Sequence, residues 1–248
     1  MLLLSTACLP HYGLERVFEF AKDTGFDGVE VVVDKRFDTQ NAEYIKKLEK
    51  KYDLPVGAFS ISAEETDKLL KPFQTTVREF KGVSMNLRSP ELFGFEYKKW
   101  LQKVAPKLAK KYQLRLVRVN APLKLYLGIL PQYSQNSLGA LSKNRAVGLD
   151  ISALWSAKED IEKATLTFGK RLQHMYISNV LHDISYSPMY EGSVAIERLL
   201  ENMAKRGYKG HFTVLISPEQ INEGNDEKVT EKLTRSVEFF RKHFIFAG

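Results

Sequence analysis

The chain has one cysteine, Cys8, among 248 residues, so no disulfide can form within it and a disulfide-stapled secreted scaffold is excluded. A reducing, cytoplasmic setting is the expectation. No apolar run approaches the ~20 residues that a membrane-crossing helix requires, so no membrane partner is expected. The opening MLLLSTACLP is apolar, but no basic residue precedes it and a polar turn follows at once. It reads as a first strand rather than a leader. Neither Gly-x-Gly-x-x-Gly after the first strand nor a Walker lysine motif occurs, which removes the main support for a nucleotide-binding open sheet. No Pro-, Gly- or Ser-rich linker interrupts the sequence, and one domain over residues 1–248 is expected.

A further absence is local. Between Tyr97 and Leu149 there is no Asp or Glu, while eleven Lys and Arg occur there, including Lys98, Lys107, Arg115, Arg118, Lys124 and Arg145. With a formal net charge of +7, the rest of the chain is net negative by four. Such segregation attracts phosphate, nucleic acid or an acidic partner.

What is present is 44% hydrophobic and 27% charged, an ordinary globular balance. Apolar runs alternate with helical periodicity along the chain. Strands are predicted over Leu2 to Ala7, Gly28 to Asp34, Pro55 to Ser62, Gly82 to Leu87, Leu114 to Asn120, Ala146 to Leu149, Leu172 to Ile177 and Phe212 to Ile216. Helices are predicted over Leu14 to Thr24, Asn41 to Lys51, from AEETDKLL onward, Glu96 to Tyr112, Lys158 to Phe168, around Leu199 to Ala204, and Asp226 to His243. Pro106 predicts a kink or a restarted helix. The connection from Ala121 to Asn144 is the longest and least patterned. Eight such alternations in about the ~250 residues typical of the fold predict an α/β (β/α)8 TIM barrel. A doubly wound open sheet is the rival.

In such a barrel ligands bind where the strands end, which draws attention to the βαβ unit of Arg171 to Glu219. There His174, Tyr176, Asn179, His182, Asp183 and Glu191 fall near the expected mouth. His182 and Asp183 form a candidate base and orienting carboxylate, or are solvated loop residues. Asp150 ends a strand as a candidate catalytic carboxylate or a helix cap. His174, inside an apolar strand, is as well read as a hydrogen-bonded core histidine. Arg118, Asn120 and Lys124 are candidate ligand-binding groups after strand five, because a guanidinium forks onto phosphate or carboxylate. Asn86 and Arg88, after strand four, join them at the mouth.

Several phrases resemble the xylose isomerase-like TIM barrels, which include sugar and sugar-phosphate isomerases and epimerases and endonuclease IV-type enzymes. GFDGVEVVVD resembles the second strand of that superfamily and LPVGAFSIS its third. HMYISN resembles its seventh, and RGYKGHFTVLISPE its approach to the eighth; Tyr190, Glu191 and Gly192 resemble its Pro-Gly-x-Gly loop. The resemblance implies a divalent metal held by Glu, Asp, His and Glu after strands five to eight. Carried over residue by residue, those positions are Val119 (or Asn120 in a register one residue later), Asp150, Tyr176 and Leu215. Valine and leucine cannot coordinate a cation, so no metal cofactor is expected despite the superfamily norm.

The expected function is that of a sugar-phosphate isomerase/epimerase-like barrel binding a small polyhydroxylated or phosphorylated ligand. If it turns over, His182, Asp183 and Asp150 carry the acid/base work. The alternatives are a noncatalytic binding or scaffold barrel and a nucleic-acid-binding relative of endonuclease IV.

Overall fold

A computed structural model of the chain describes residues 1–63 and 66–245. Eight parallel strands close into a barrel. They are β1 (Leu2–Ser5), β2 (Gly28–Val33), β3 (Val56–Ile61), β4 (Ser84–Arg88), β5 (Arg115–Val119), β6 (Val147–Asp150), β7 (Leu172–Ile177) and β8 (His211–Val214). Each strand pairs with its neighbours in chain order, and β1 closes the ring by pairing Leu2, Leu3 and Leu4 with Phe212, Thr213 and Val214 of β8. Closure excludes the open-sheet rival.

The main core lies between the barrel wall and the surrounding helices. Helix α1 (Leu14–Asp23) buries Leu14, Val17, Phe18 and Ala21, the face that its 3.6-residue spacing defines. The helices α2 (Ala42–Tyr52) and α3 (Thr66–Val77) follow. Glu64 and Glu65, the early acids expected to open α3, lie outside the described residues. The long helix expected before β5 is two, α4 (Phe95–Lys103) and α5 (Ala105–Tyr112). Pro106 sits in the first turn of α5, where its missing N–H costs nothing, so the chain restarts rather than kinks.

After β6 the chain forms α6 (Ile151–Ser156) and α7 (Ile161–Phe168), then α8 (Ile196–Lys205) and α9 (Asp226–His243) complete the ring. The expected helix from Lys158 begins later, at Ile161, because Asp160 caps it through Lys163 N–H at 2.9 Å. The first strand is also shorter than expected. Ser5 caps a 3-10 turn over Thr6–Cys8, which ends the extended run.

Two small hairpins stand above the barrel. One, in the long connection after β5, pairs Leu125–Tyr126 with Leu130–Pro131. The other, after β7, pairs Asn179–Leu181 with Ile184–Ser187.

Candidate functional site

Side chains alternate across a strand, so each barrel strand sends every second residue inward. In β5, Val117 and Val119 pack with Tyr176 of β7, with Leu215 partly buried against them. This fixes the register left open by the sequence: Val119 takes the inward position, and Arg118 between the two valines faces outward. Arg118 is buried, its Nε has no partner among the described residues, and burial lowers its pKa. It is therefore a residue of the outer wall, not of the mouth.

Gly148 is what lets the interior close here. A Cβ at this position would lie 2.9 Å from Val119 Cγ2 and 3.2 Å from Val117 Cγ1.

Above this cluster sits an ion pair. Arg88, the last residue of β4, places Nη2 2.8 Å from Asp150 Oδ2; the Asp150 side chain is fully buried and that of Arg88 is 25% exposed. Arg88 Nη1 donates to the Asn120 carbonyl at 3.0 Å, and the guanidinium lies 5.2 Å from the Tyr176 ring centroid. Tyr186 donates its hydroxyl to Asp150 Oδ2 at 3.1 Å, and Asp150 Oδ1 accepts Ala153 N–H at 3.0 Å, capping α6. Burial disfavours the charge on Arg88, but Asp150, Tyr186 and Tyr176 outweigh it and hold the guanidinium above its usual pKa. Burial first and Asp150 second raise the Tyr186 hydroxyl. The cap and the pairing readings of Asp150 are thus both realised.

Beneath the pair the barrel interior is polar. Glu30 of β2 is fully buried; its Oε1 accepts the Tyr176 hydroxyl and, at 3.3 Å, the Asn86 amide, while Asn86 also donates to Tyr176 Oη at 3.0 Å. Burial raises the Glu30 pKa and, with Glu30 beside it, that of Tyr176. Lower still, His174 Nε2 meets Thr213 Oγ1 at 2.8 Å and its ring is 6.2 Å from that of His211. Burial, then His211, pulls His174 well below the usual histidine value, and burial takes His211 to about 4. The bland reading of His174, a hydrogen-bonded core histidine, is the one the geometry supports.

The other expected site residues disperse. His182 (φ 48°) and Asp183 (φ 65°) are the two turn residues of the hairpin after β7, both exposed, with no hydrogen bond between them. Two consecutive left-handed residues are what a two-residue I′ turn demands, and solvent exposure leaves them unpositioned as a base and its orienter. The same hairpin supplies Tyr186 instead.

Asn179 is buried and organises its loop: Oδ1 accepts Val180 and Val194 N–H at 2.8 Å each, and Nδ2 donates to the Met189 and Val194 carbonyls. Gly192 (φ 138°) passes so close that a Cβ would lie 2.5 Å from Asn179 Oδ1. Glu191 faces Arg235 of α9 at 3.7 Å. Asn120 bonds the Asp150 backbone, accepting its N–H at 2.7 Å and donating to its carbonyl at 3.2 Å.

Exposed Lys124 and buried Asn120 line a cavity of about 500 Å³ beside the mouth, with Tyr133, Asn136, Ala153 and Glu159. The space immediately against Arg88, between Tyr97 and Tyr133, is only about 30 Å³. Tyr133 lines both spaces.

No protein-family model and no curated protein matches the sequence. Solved structures do match in shape. A D-psicose 3-epimerase with D-tagatose from Clostridium cellulolyticum H10 superposes with a TM-score of 0.72 at 12% identity, over 98% of this chain and 99% of that one. The fold is the (β/α)8 barrel of that enzyme. A family 2 AP endonuclease from Brucella melitensis (TM-score 0.69, 15% identity, 98% of both chains) has it too. So does a xylose isomerase domain protein from Alicyclobacillus acidocaldarius (0.67, 14%, 97% and 99%). At such identities the likeness is one of fold.

Within this barrel the four positions carried over from the resemblance do converge: Val119, Tyr176 and Leu215 touch, and Asp150 stands next to them through Arg88. As a donor set they do not fit a divalent ion. Two have no donor atom, the Tyr176 hydroxyl is bound to Glu30, and both Asp150 oxygens are engaged. Among the described residues no group of three or more His, Cys, Asp or Glu is arranged to hold a metal.

Proposed function

We propose that this barrel binds a small polyhydroxylated ligand in the cavity of about 500 Å³ beside its mouth without a divalent metal, one end of the ligand reaching past Tyr133 to the Arg88 guanidinium, which serves as the fixed cation. The observation that carries the reading is the Arg88–Asp150 pair, with Asp150 fully buried and a quarter of the Arg88 side chain open. A guanidinium presents five N–H donors, and Arg88 spends them on Asp150 and the Asn120 carbonyl only in part. The remaining donors, with the Tyr133 hydroxyl, suit alternating hydroxyl and carbonyl oxygens. Because Asp150 already balances Arg88, the mouth favours a neutral sugar over a phosphorylated one; Lys124, on the adjoining cavity, is the cation left to meet a phosphate.

The ketohexoses that name the structurally similar epimerases, D-psicose and D-tagatose, form the first panel, with sugar phosphates as the second. Binding stabilises the folded state in proportion to the logarithm of ligand concentration over Kd. A rise in melting temperature with the first panel that Arg88→Ala abolishes supports the reading. No rise with either panel, or an equal rise in the variant, refutes it.

A second reading, a binding barrel without turnover, is favoured by the state of Asp150. Both of its oxygens are engaged, and Glu30 is covered by Tyr176 and Asn86. Neither carboxyl is free to move a proton on a ligand. Proton exchange at ligand carbon, followed by NMR in D2O, separates the two readings.

A further inference from the structure

Of the fourteen large hydrophobic residues that stand exposed among the described residues, seven fall in two neighbouring segments: Phe93, Phe95, Leu123, Leu125, Leu127, Ile129 and Leu130. Five belong to the connection after β5, Phe93 lies in the loop after β4 and Phe95 opens α4. The two segments are tied together by Leu92 N–H to the Gln132 carbonyl at 2.6 Å, by the Gln132 amide to Glu91 at 2.9 Å, and by the Phe93 and Tyr126 rings at 5.6 Å. The patch therefore wraps the hairpin, with Leu125 and Pro131 on one face and Leu130 and Tyr126, against Phe93, on the other. At its tip Leu127 is 93% exposed with φ of 51°, followed by Gly128 at φ 73°. A leucine held left-handed and bare to water is unfavourable twice over in an isolated chain, in backbone conformation and in hydration.

We infer that this hairpin surface is the interface of a homodimer, its occupant a second copy of the same chain. The size fits. The seven residues together expose on the order of 700 Å² over both faces of the hairpin, close to the ~800 Å² each partner contributes to a standard interface, so a second copy has to enclose the hairpin from both sides. The composition fits as well. From Leu123 to Pro131 the only charged residue is Lys124, and depletion of charge marks the centre of an interface. A twofold axis through such a surface matches it with itself. Leu123 and Pro131 also line the cavity of about 500 Å³ beside the mouth, so a second copy seated on the hairpin roofs that cavity. That last consequence alone touches the proposed ligand site; the dimer stands on the surface by itself.

The test is mass in solution by light scattering after size exclusion, on the full chain and on Leu127→Asn/Ile129→Lys. Asparagine tolerates the left-handed turn better than leucine, so the variant folds at least as well, which circular dichroism verifies. Expected is twice 28.4 kDa for the wild type and 28.4 kDa for the variant, with Lys124 slow to acetylate only in the dimer. A wild-type chain that stays at 28.4 kDa throughout the micromolar range, or a variant still at double mass, overturns the inference. So does a monomeric wild type that sediments with phosphatidylserine-containing vesicles, which identifies a lipid surface as the occupant.

Discussion

Replacing Arg88 by alanine probes the mouth most severely. The substitution leaves Asp150, whose side chain is wholly inaccessible, without its cation. Removing one partner of a buried ion pair costs about 3–5 kcal/mol, because the other charge stays desolvated and unpaired. Here the lower end applies. Asp150 keeps the Tyr186 hydroxyl at 3.1 Å and Ala153 N–H at 3.0 Å, and it sits at the start of α6, where a negative charge is favoured. The expected loss is therefore about 3 kcal/mol, which for a chain of this size lowers the melting temperature by about 6–12 °C. Urea unfolding gives the free energy directly. The double variant Arg88→Leu/Asp150→Asn removes both charges and recovers most of the loss, since a buried pair exchanged for neutral groups is often near neutral. A loss below about 1 kcal/mol in the single variant, or a double variant worse than the single, refutes the claim that Asp150 depends on Arg88.

Other consequences follow from the same interior. Burial raises Glu30 above the carboxylate value of 4.5, so the fold binds a proton that the unfolded chain releases, and wild-type stability falls as pH rises from about 4.5 toward the raised value. Glu30→Gln abolishes that decline, and urea titrations from pH 4 to 8 show its advantage growing with pH; a constant difference contradicts it. His182→Asn/Asp183→Gly supplies the residues an I′ turn prefers, so stability rises by about 0.5 kcal/mol and ligand-induced thermal shifts stay unchanged. A lost shift restores these two residues to the site. Gly192→Ala combines a φ of 138° with a Cβ 2.5 Å from both Asn179 Oδ1 and the Val180 carbonyl, and a loss above about 3 kcal/mol is expected in urea. Cys8 is buried, bonded to Ile216 N–H at 3.2 Å, and its thiol is pushed up to about 12. Ellman's reagent therefore reacts with it only as fast as the protein opens.

The barrel was legible because parallel strands covered on both faces read as unbroken apolar runs, as in the GVEVVV of β2, and because Pro106 cannot continue a helix. Much less of the site could be read. Glu30 is a lone polar residue in the apolar run of β2, and only closure of the ring shows that it meets Tyr176 from 146 positions away. Arg88 was placed at the mouth, but nothing local announces that Asp150 is its partner. The outward face of Arg118 turned on a single residue of register, which packing of Val117 and Val119 against Tyr176 decides. His182 and Asp183 lack the Asn-Gly signature of a tight turn, so nothing local marks them as the place where the backbone needs two left-handed residues.

The most direct measurement is the metal content of protein purified without chelator, by plasma mass spectrometry, on the wild type and on Asp150→Asn. With Arg88 as the resident cation, both contain far less than one manganese, zinc or magnesium per chain, and added metal leaves the melting temperature unmoved. One ion per wild-type chain, lost in Asp150→Asn, contradicts the account.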